Sequence, residues 1–197
     1  MAPIDTARVE AAVAEILAAI GEDSARPGLL ATPTRVAEAY SEFFSGLGVD
    51  PQTHLADTIE LDLPEGESGE LVLLRDIEFR SVCEHHLLPF LGRAHVAYIP
   101  NKRVVGLGHI PKVVETLASR PQLQERLTEE IADALQEGLD ARGVLVVLDA
   151  SHGCVTSRGA RQAKSTTVTM ATRGILSDPV ERAEIVALIG AGGAANG

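Results

Sequence analysis

The amino-acid sequence predicts an α+β fold built on an antiparallel sheet. Apolar residues recur at helical spacing in the first third of the chain and again beyond residue 110, whereas short β-type runs occupy the middle and later parts. Connections of hairpin length join several of these runs, which favours antiparallel pairing. We therefore expect helices packed on one face of an antiparallel sheet, preceded by an N-terminal helical pair.

The first third of the chain predicts the helical pair. Residues 5–20 carry apolar side chains with the period of an amphipathic helix, at Val9, Val13, Ile16, Leu17 and Ile20. Gly21 is expected to end this helix. Thr32 and Pro33 are typical of an N-cap followed by proline in the first turn. A second apolar stripe follows and ends near Pro51.

The pattern changes to β-type after Pro51. Residues 58–63 alternate apolar and polar side chains, as a half-buried strand does. Further strands are expected over 70–79, 95–99, 143–148 and 165–172, and further helices over 111–120, 121–141 and 178–189. We divide the chain into an N-terminal helical segment (1–52), a main domain (53–189) and a flexible Gly/Ala-rich tail (190–197).

Composition excludes several classes of function. The chain of 197 residues has a formal net charge of −11, so we expect no binding to nucleic acid or to an anionic membrane surface. The N-terminus shows no basic segment followed by an apolar run, and the most apolar stretch there is too short to span a bilayer. A cytoplasmic location is therefore expected. A small anion could still bind in a local basic pocket.

Both cysteines of the chain lie beside histidines. Cys83 and His86 form a C-x-x-H spacing, which lets one turn direct a thiolate and an imidazole at the same ion. If the preceding strand continues, His152 and Cys154 point to one face of it and share a site. Two such clusters predict a shared zinc site, whereas the alternative is two inert buried cysteines with unrelated surface histidines.

The number of ligands distinguishes a catalytic from a structural zinc site. His85 and His86 are adjacent and cannot easily both face one ion. Three protein ligands leave a coordination position for water, which is the catalytic arrangement, whereas four close the site. We expect two cysteines and one histidine around an open position, with two histidines left for proton transfer.

Several ordered motifs resemble the GTP cyclohydrolase I family. They are GLLATPTR at residues 28–35, CEHHLLPF at 83–90, AYIP at 97–100, VGL at 105–107, RPQLQERLT at 120–128 and HGC at 152–154. The resemblance covers roughly residues 20–189. It implies a tunnelling fold, a homodecamer with active sites between subunits, and hydrolysis of GTP to formate and 7,8-dihydroneopterin triphosphate.

The same resemblance implies roles for individual residues. Cys83, His86 and Cys154 would hold Zn²⁺, which activates a water to attack C8 of guanine. His152 would protonate a ring nitrogen, and His85 would lie near the ribose and phosphates. The residues implied for substrate binding are Glu125 and Gln124 at the guanine and, for the triphosphate, Arg35, His109, Lys112 and Arg158, with Arg161 a further candidate.

The sequence departs from the family at the proposed phosphate end. The family usually has Ser-Lys after Val-Gly-Leu and an arginine three residues beyond that lysine, where this chain has Gly108, His109 and Lys112. The zinc and C8 chemistry is untouched, so we expect formate release to survive. GTP binding should be weaker, and the late sugar rearrangement loses a serine hydroxyl.

Other functions stay open at this point. One is a tunnelling-fold enzyme that acts on another purine or pterin, or that stops at a ring-opened intermediate. Another is a zinc-stabilised nucleotide-binding homologue without turnover. A nitrile-reducing relative would use a cysteine nucleophile without zinc, which the second Cys/His cluster disfavours.

Overall fold

The computed structural model describes residues 4–64, 66–67 and 69–192. The helices in this part are α1 (Thr6–Ala19), α2 (Thr32–Phe43), α3 (His109–Ala118), α4 (Gln124–Leu139), α5 (Gly153–Thr156) and α6 (Pro179–Gly192). The strands are β1 (Thr58–Glu60), β2 (Val72–Cys83), β3 (Pro89–Ile99), β4 (Arg103–Val105), β5 (Pro121–Gln122), β6 (Gly143–His152) and β7 (Thr167–Gly174). Short 3-10 turns occupy Pro51–His54 and Ile175–Ser177.

The main sheet has five strands in the order β5-β2-β3-β6-β7, and β1 pairs with β4 separately. The neighbours from β2 to β7 pair antiparallel, whereas β5 pairs parallel with the end of β2. The predicted α+β fold with an antiparallel sheet is therefore confirmed. Because Phe90 pairs with His152, and Cys83 with Gln122, the ends of β2, β5 and β6 meet at one edge of the sheet.

Helices α3 and α4 pack on one face of this sheet, as expected. Alternate residues of β3 and β6 point to that face, in agreement with the period of a strand. Together with residues of the two helices they form the main core: Phe90, Ala94, Val96, Tyr98, Ile110, Val113, Leu127, Ile131, Leu135, Val144, Val146 and Leu148. Each fully buried aliphatic side chain of this kind contributes about 1.5–3 kcal/mol. This core fixes where α4 begins, and therefore where Gln124 and Glu125 lie.

The described residues of one chain cover the opposite face of the sheet only in part. At one end, Leu145 and Val147 of β6 pack against Ile185 of α6. Farther along the same face, Leu91 is 59% exposed and Val168 is 61% exposed. Large apolar side chains therefore remain on the surface of a strand face that residues 4–64, 66–67 and 69–192 leave open.

Several strand boundaries differ from the sequence prediction. The first strand ends at Glu60 instead of residue 63. Strand β3 begins at Pro89, six residues earlier than predicted, because it pairs with both β2 and β6 along its length. The short strand β4 was not predicted, and it exists through its pairing with β1. Long-range pairing decides these boundaries, and a local pattern cannot show it.

Helix boundaries differ as well. Thr32 is the first helical residue of α2 instead of its N-cap, which is Ala31 without a side-chain capping bond. Residues 121–122 are a strand because they pair with β2, so the predicted helix over 121–141 begins only at Gln124. Helix α6 continues to Gly192, beyond the expected end at 189, and residues 193–197 of the predicted tail lie outside the described residues. The division at residue 52 stays a prediction.

Among the described residues, every helix is too short or too polar to cross a membrane.

Candidate metal and catalytic site

Three side chains with metal-ligating atoms meet where β2 and β6 end. The sulfur atoms of Cys83 and Cys154 and a ring nitrogen of His86 all lie within 4.8 Å of one another. Cys83 is 6% exposed, Cys154 is partly buried and His86 is exposed. Two thiols and one imidazole form the donor set of a catalytic zinc site with an open coordination position. The residues present therefore fit zinc.

A tight turn between β2 and β3 presents two of these donors. The Cys83 N–H donates to the Leu88 carbonyl at 2.9 Å, and the Leu87 N–H donates to the Cys83 carbonyl at 2.8 Å. Leu87 has a φ of 51°, in the left-handed region that costs a non-glycine residue roughly 1–2 kcal/mol. This strained turn brings the Cys83 and His86 side chains to the same side, as the C-x-x-H spacing predicted.

Residues of the β5–α4 segment hold this turn in place. The Arg126 guanidinium donates to the Glu84 carboxylate and, at 3.1 Å, to the Gln122 side-chain oxygen. The Glu84 N–H also donates to the Gln122 carbonyl at 3.1 Å. Arg126 and Gln122 are functional candidates that the sequence predictions missed. Their membership of the motif at residues 120–128 was the available signal.

Cys154 reaches the group through the single helical turn α5. Strand β6 ends at His152 and α5 begins at Gly153, so the strand does not continue, and the expectation that His152 and Cys154 point to one face of it is wrong. The turn requires glycine, because a Cβ at Gly153 would lie 2.8 Å from the Pro89 carbonyl oxygen. The Cys154 side chain consequently points to Cys83 and His86, whereas the His152 side chain points to Gln124.

Burial raises the pKa of the Cys154 thiol. The neighbouring Cys83 raises this pKa further, whereas the positive charge of Arg158 lowers it. Both cysteines are free thiols. A cation bound by these sulfurs must therefore displace protons, which makes its binding dependent on pH.

His152 is partly buried, and its surroundings are aromatic and polar. Its ring stacks on the buried Phe90 ring, with centroids 4.6 Å apart and planes inclined by 8°. Its Nε2 lies 2.6 Å from the side-chain oxygen of Gln124. Burial lowers the pKa of His152, and the negative charge of Glu125 opposes this shift. The neutral ring is therefore favoured.

The other candidates, His85, Glu125 and Gln124, divide into exposed and buried side chains. His85 is exposed and lies outside the metal group, with its ring centroid 6.2 Å from that of His86. Glu125 is exposed in the first turn of α4, beside a cavity of about 350 Å³ that Thr128 and Thr169 also line. Gln124, in contrast, is only 2% exposed.

The cations proposed for the triphosphate lie on separate elements. Arg35 is exposed on α2, Lys112 on α3, and Arg158 and Arg161 in the segment after α5. His109, the first residue of α3, bonds through Nδ1 to the His54 carbonyl at 2.7 Å. Since a carbonyl only accepts, Nδ1 carries a hydrogen and Nε2 is the nitrogen left for a ligand. Their convergence on one phosphate site stays a prediction.

Residues 9–190 match the sequence profile of the family GTP cyclohydrolase I. The chain belongs to this family. A GTP cyclohydrolase 1 of Leifsonia xyli is 62% identical over 194 residues, covering 98% of this chain and 100% of the relative. A GTP cyclohydrolase 1 of Carboxydothermus hydrogenoformans is 54% identical over 189 residues, covering 95% and 96%.

Two further comparisons are more distant. A GTP cyclohydrolase 1 of Rhodopirellula baltica is 52% identical over 187 residues, covering 94% of this chain and 80% of the relative. The solved apo form of the archaeosine synthase QueF-Like is 20% identical, with a TM-score of 0.46, and covers 55% of this chain and 97% of its own. At this TM-score the likeness carries no conclusion.

Membership of the GTP cyclohydrolase I family confirms the resemblance stated from the motifs. It also confirms that the chain belongs to an enzyme family. The Cys83, His86 and Cys154 group agrees with that assignment as a possible metal site.

Proposed function

We propose that this chain is a zinc-dependent enzyme that hydrolyses GTP to formate and 7,8-dihydroneopterin triphosphate. The observation that carries the proposal is that the ligand atoms of Cys83, His86 and Cys154 lie within 4.8 Å of one another. Cys154 is also only two residues beyond His152 in the sequence. When bound, zinc would act as a Lewis acid that lowers the pKa of a coordinated water to about 7.

His152 is the proposed proton carrier for the guanine ring. Burial against Phe90 lowers its pKa, so the ring is neutral near pH 7 and its protonated form is a ready proton donor. A proton given to an imidazole nitrogen of guanine makes C8 electrophilic. The same ring can take a proton back during ring opening, and His85 is the proposed second histidine near the sugar.

Glu125 is the proposed reader of the guanine edge. Its carboxylate is exposed in the first turn of α4, and its charge acts on His152, so the two side chains face one region. Guanine presents adjacent N–H donors on one edge, and a carboxylate accepts both. Arg35, Lys112 and Arg158 are proposed for the triphosphate, since they supply the cations that a polyanion needs in an acidic chain, and His109 is proposed beside them.

A homo-oligomer, proposed as a decamer, completes the site. The candidate residues His85, His86 and Glu125 are exposed in one chain, so a second subunit has room to close over them. The open face of the sheet presents Leu91 and Val168 to solvent, as an interface would. Among the residues that the structure describes, strand β7 is also an edge of the sheet, and its outer backbone groups can pair with a strand of another subunit.

We place the reaction in the cytoplasm. Cys83 and Cys154 are free thiols close to each other, and thiols that serve as metal ligands suit a reducing compartment.

Incubating the zinc-loaded protein with GTP tests this function. We expect one formate per GTP consumed and a pterin triphosphate identified by mass. Cys83→Ser should lose both zinc and turnover, whereas the control His95→Gln, on the far face of the sheet, should keep both. Absence of formate contradicts the proposal, and a ring-opened or formylated product would assign the alternative reaction that Gly108 makes plausible.

A further inference from the structure

The side chain of Gln124 is fully engaged by the protein. Its nitrogen Nε2 lies 2.8 Å from the Thr167 carbonyl, 3.2 Å from the Leu148 carbonyl and 3.1 Å from the Thr169 hydroxyl. Its oxygen Oε1 lies 2.6 Å from Nε2 of His152. Because the residue is 2% exposed, none of its polar atoms is available to a substrate without displacing one of these partners.

These partners determine which way the Gln124 amide points. Two of the three groups around its nitrogen are backbone carbonyls, which only accept hydrogen bonds. A flipped amide would place its oxygen against the carbonyls of Leu148 and Thr167 and lose both bonds. The oxygen must therefore face His152.

A chain of hydroxyls supports the same orientation. Thr128 donates to the Gln124 main-chain carbonyl at 2.7 Å, so its single hydrogen is used. The Thr169 hydroxyl, 2.6 Å away, must then donate to Thr128 and is left to accept from the Gln124 amide. Every donor in this network meets an acceptor. The partners of Nε2 and the partner of Oε1 therefore fix the orientation of the Gln124 amide together.

From this geometry we propose that Gln124 is a positioning residue that holds His152 in the tautomer with its hydrogen on Nε2. An amide oxygen only accepts, so Nε2 must carry a hydrogen, and Nδ1 is the nitrogen that exchanges a proton with the substrate. Stacking on Phe90 fixes the plane of the ring. The role of Nδ1 rests on the proposed function, whereas the tautomer does not. This inference replaces the direct substrate contact expected of Gln124 from the sequence.

Steady-state kinetics of Gln124→Met separates positioning from substrate binding. Methionine keeps the length of the side chain but removes both polar ends, so we expect kcat to fall about 10- to 100-fold while KM for GTP changes less than about threefold. Gln136→Met is the matched control, because Gln136 lies later on α4 and its amide also bonds a backbone carbonyl, that of Ala141. The control should keep kcat and KM. A rise in KM at unchanged kcat in Gln124→Met overturns the proposal.

Solid-state NMR of the wild-type protein labelled with ¹⁵N-histidine reads the tautomer directly, without turnover. The protein has six histidines, so the His152 signals are assigned by their loss in His152→Asn. At about pH 8 we expect a protonated Nε2 and an unprotonated Nδ1, and both tautomers in Gln124→Met. A wild-type ring with its hydrogen on Nδ1 overturns the proposal even if Gln124→Met fails to fold. Absence of formate from GTP in the wild type would instead overturn the proposed function alone.

Discussion

Protonation of His95 should break a hydrogen bond that holds a bulge in β2, and so lower the free energy of unfolding of the protein. The register of β2 against β3 shifts between Leu74 and Ile77, and Asp76 within this bulge has a φ of 58°. The Asp76 N–H donates to Nδ1 of His95 at 3.2 Å. A protonated imidazole has no lone pair to accept this bond, so the bulge loses its anchor when His95 becomes charged.

The direction of the pH dependence follows from the surroundings of His95. Burial lowers the pKa of His95, and the nearby Arg75 and Arg93 act in the same direction, whereas Asp76 and Asp149 oppose the shift. Since the folded state favours the neutral ring, the stabilising contribution is complete above the ordinary histidine pKa of about 6.5. It is lost as the pH falls below that value.

The magnitude is that of one hydrogen bond between a side chain and a backbone N–H, about 1 kcal/mol. For a chain of this size, such a loss lowers Tm by about 2–4 °C. The assay compares thermal unfolding of wild type and His95→Gln at pH 7.5 and 5.5, because the Gln side-chain oxygen accepts the Asp76 N–H at either pH. The wild type should lose about 2–4 °C more than the variant on acidification. Equal losses in the two proteins refute the reasoning.

Three further predictions concern the metal, the phosphate end and the core. Removing metal with a chelator should lower the free energy of unfolding by about 4 kcal/mol, compared with protein in zinc at about a thousand times its Kd. Urea titration measures this difference, and an unchanged urea midpoint would exclude metal binding by the folded protein. The KM for GTP should be lower in His109→Lys than in the wild type, because a lysine ammonium is a compact cation with three donors for phosphate oxygens. An equal KM in the two proteins would exclude residue 109 from phosphate binding. Leu135→Ala should destabilise by about 2–5 kcal/mol in urea, because it leaves a cavity under α4, and a loss below about 1 kcal/mol would contradict the core assignment.

Much of the architecture was predictable from periodicity. The apolar stripe of α4, with Leu127, Ile131 and Leu135, has helical spacing and is buried on the sheet as predicted. The β-type run of residues 143–148 is indeed a strand, although it continues to His152. The predicted boundaries of helices and strands were wrong where a segment pairs with residues that are distant in the chain. The local pattern at Pro121–Gln122 predicted the start of a helix, but these residues pair with β2.

The candidate metal group was also predictable in composition, but only partly in geometry. The chain has two cysteines, and each has a histidine within three residues, so the sequence indicated which side chains to consider. The predicted position of Cys154 on strand β6 was wrong, because helix α5 carries its side chain to Cys83 and His86. The Arg126 bond to Glu84 was not foreseen, because it joins two segments 42 residues apart.

By itself, the sequence determined the helical and strand periods, the donor types of the candidate metal site and, through its motifs, the family. These properties depend on residue identity and short spacing. The tertiary structure alone decided that Gln124 is buried against His152 and that His109 bonds the His54 carbonyl. Such contacts depend on where the sheet places segments that are distant in the chain, and an amide or an imidazole takes its role from the groups that surround it.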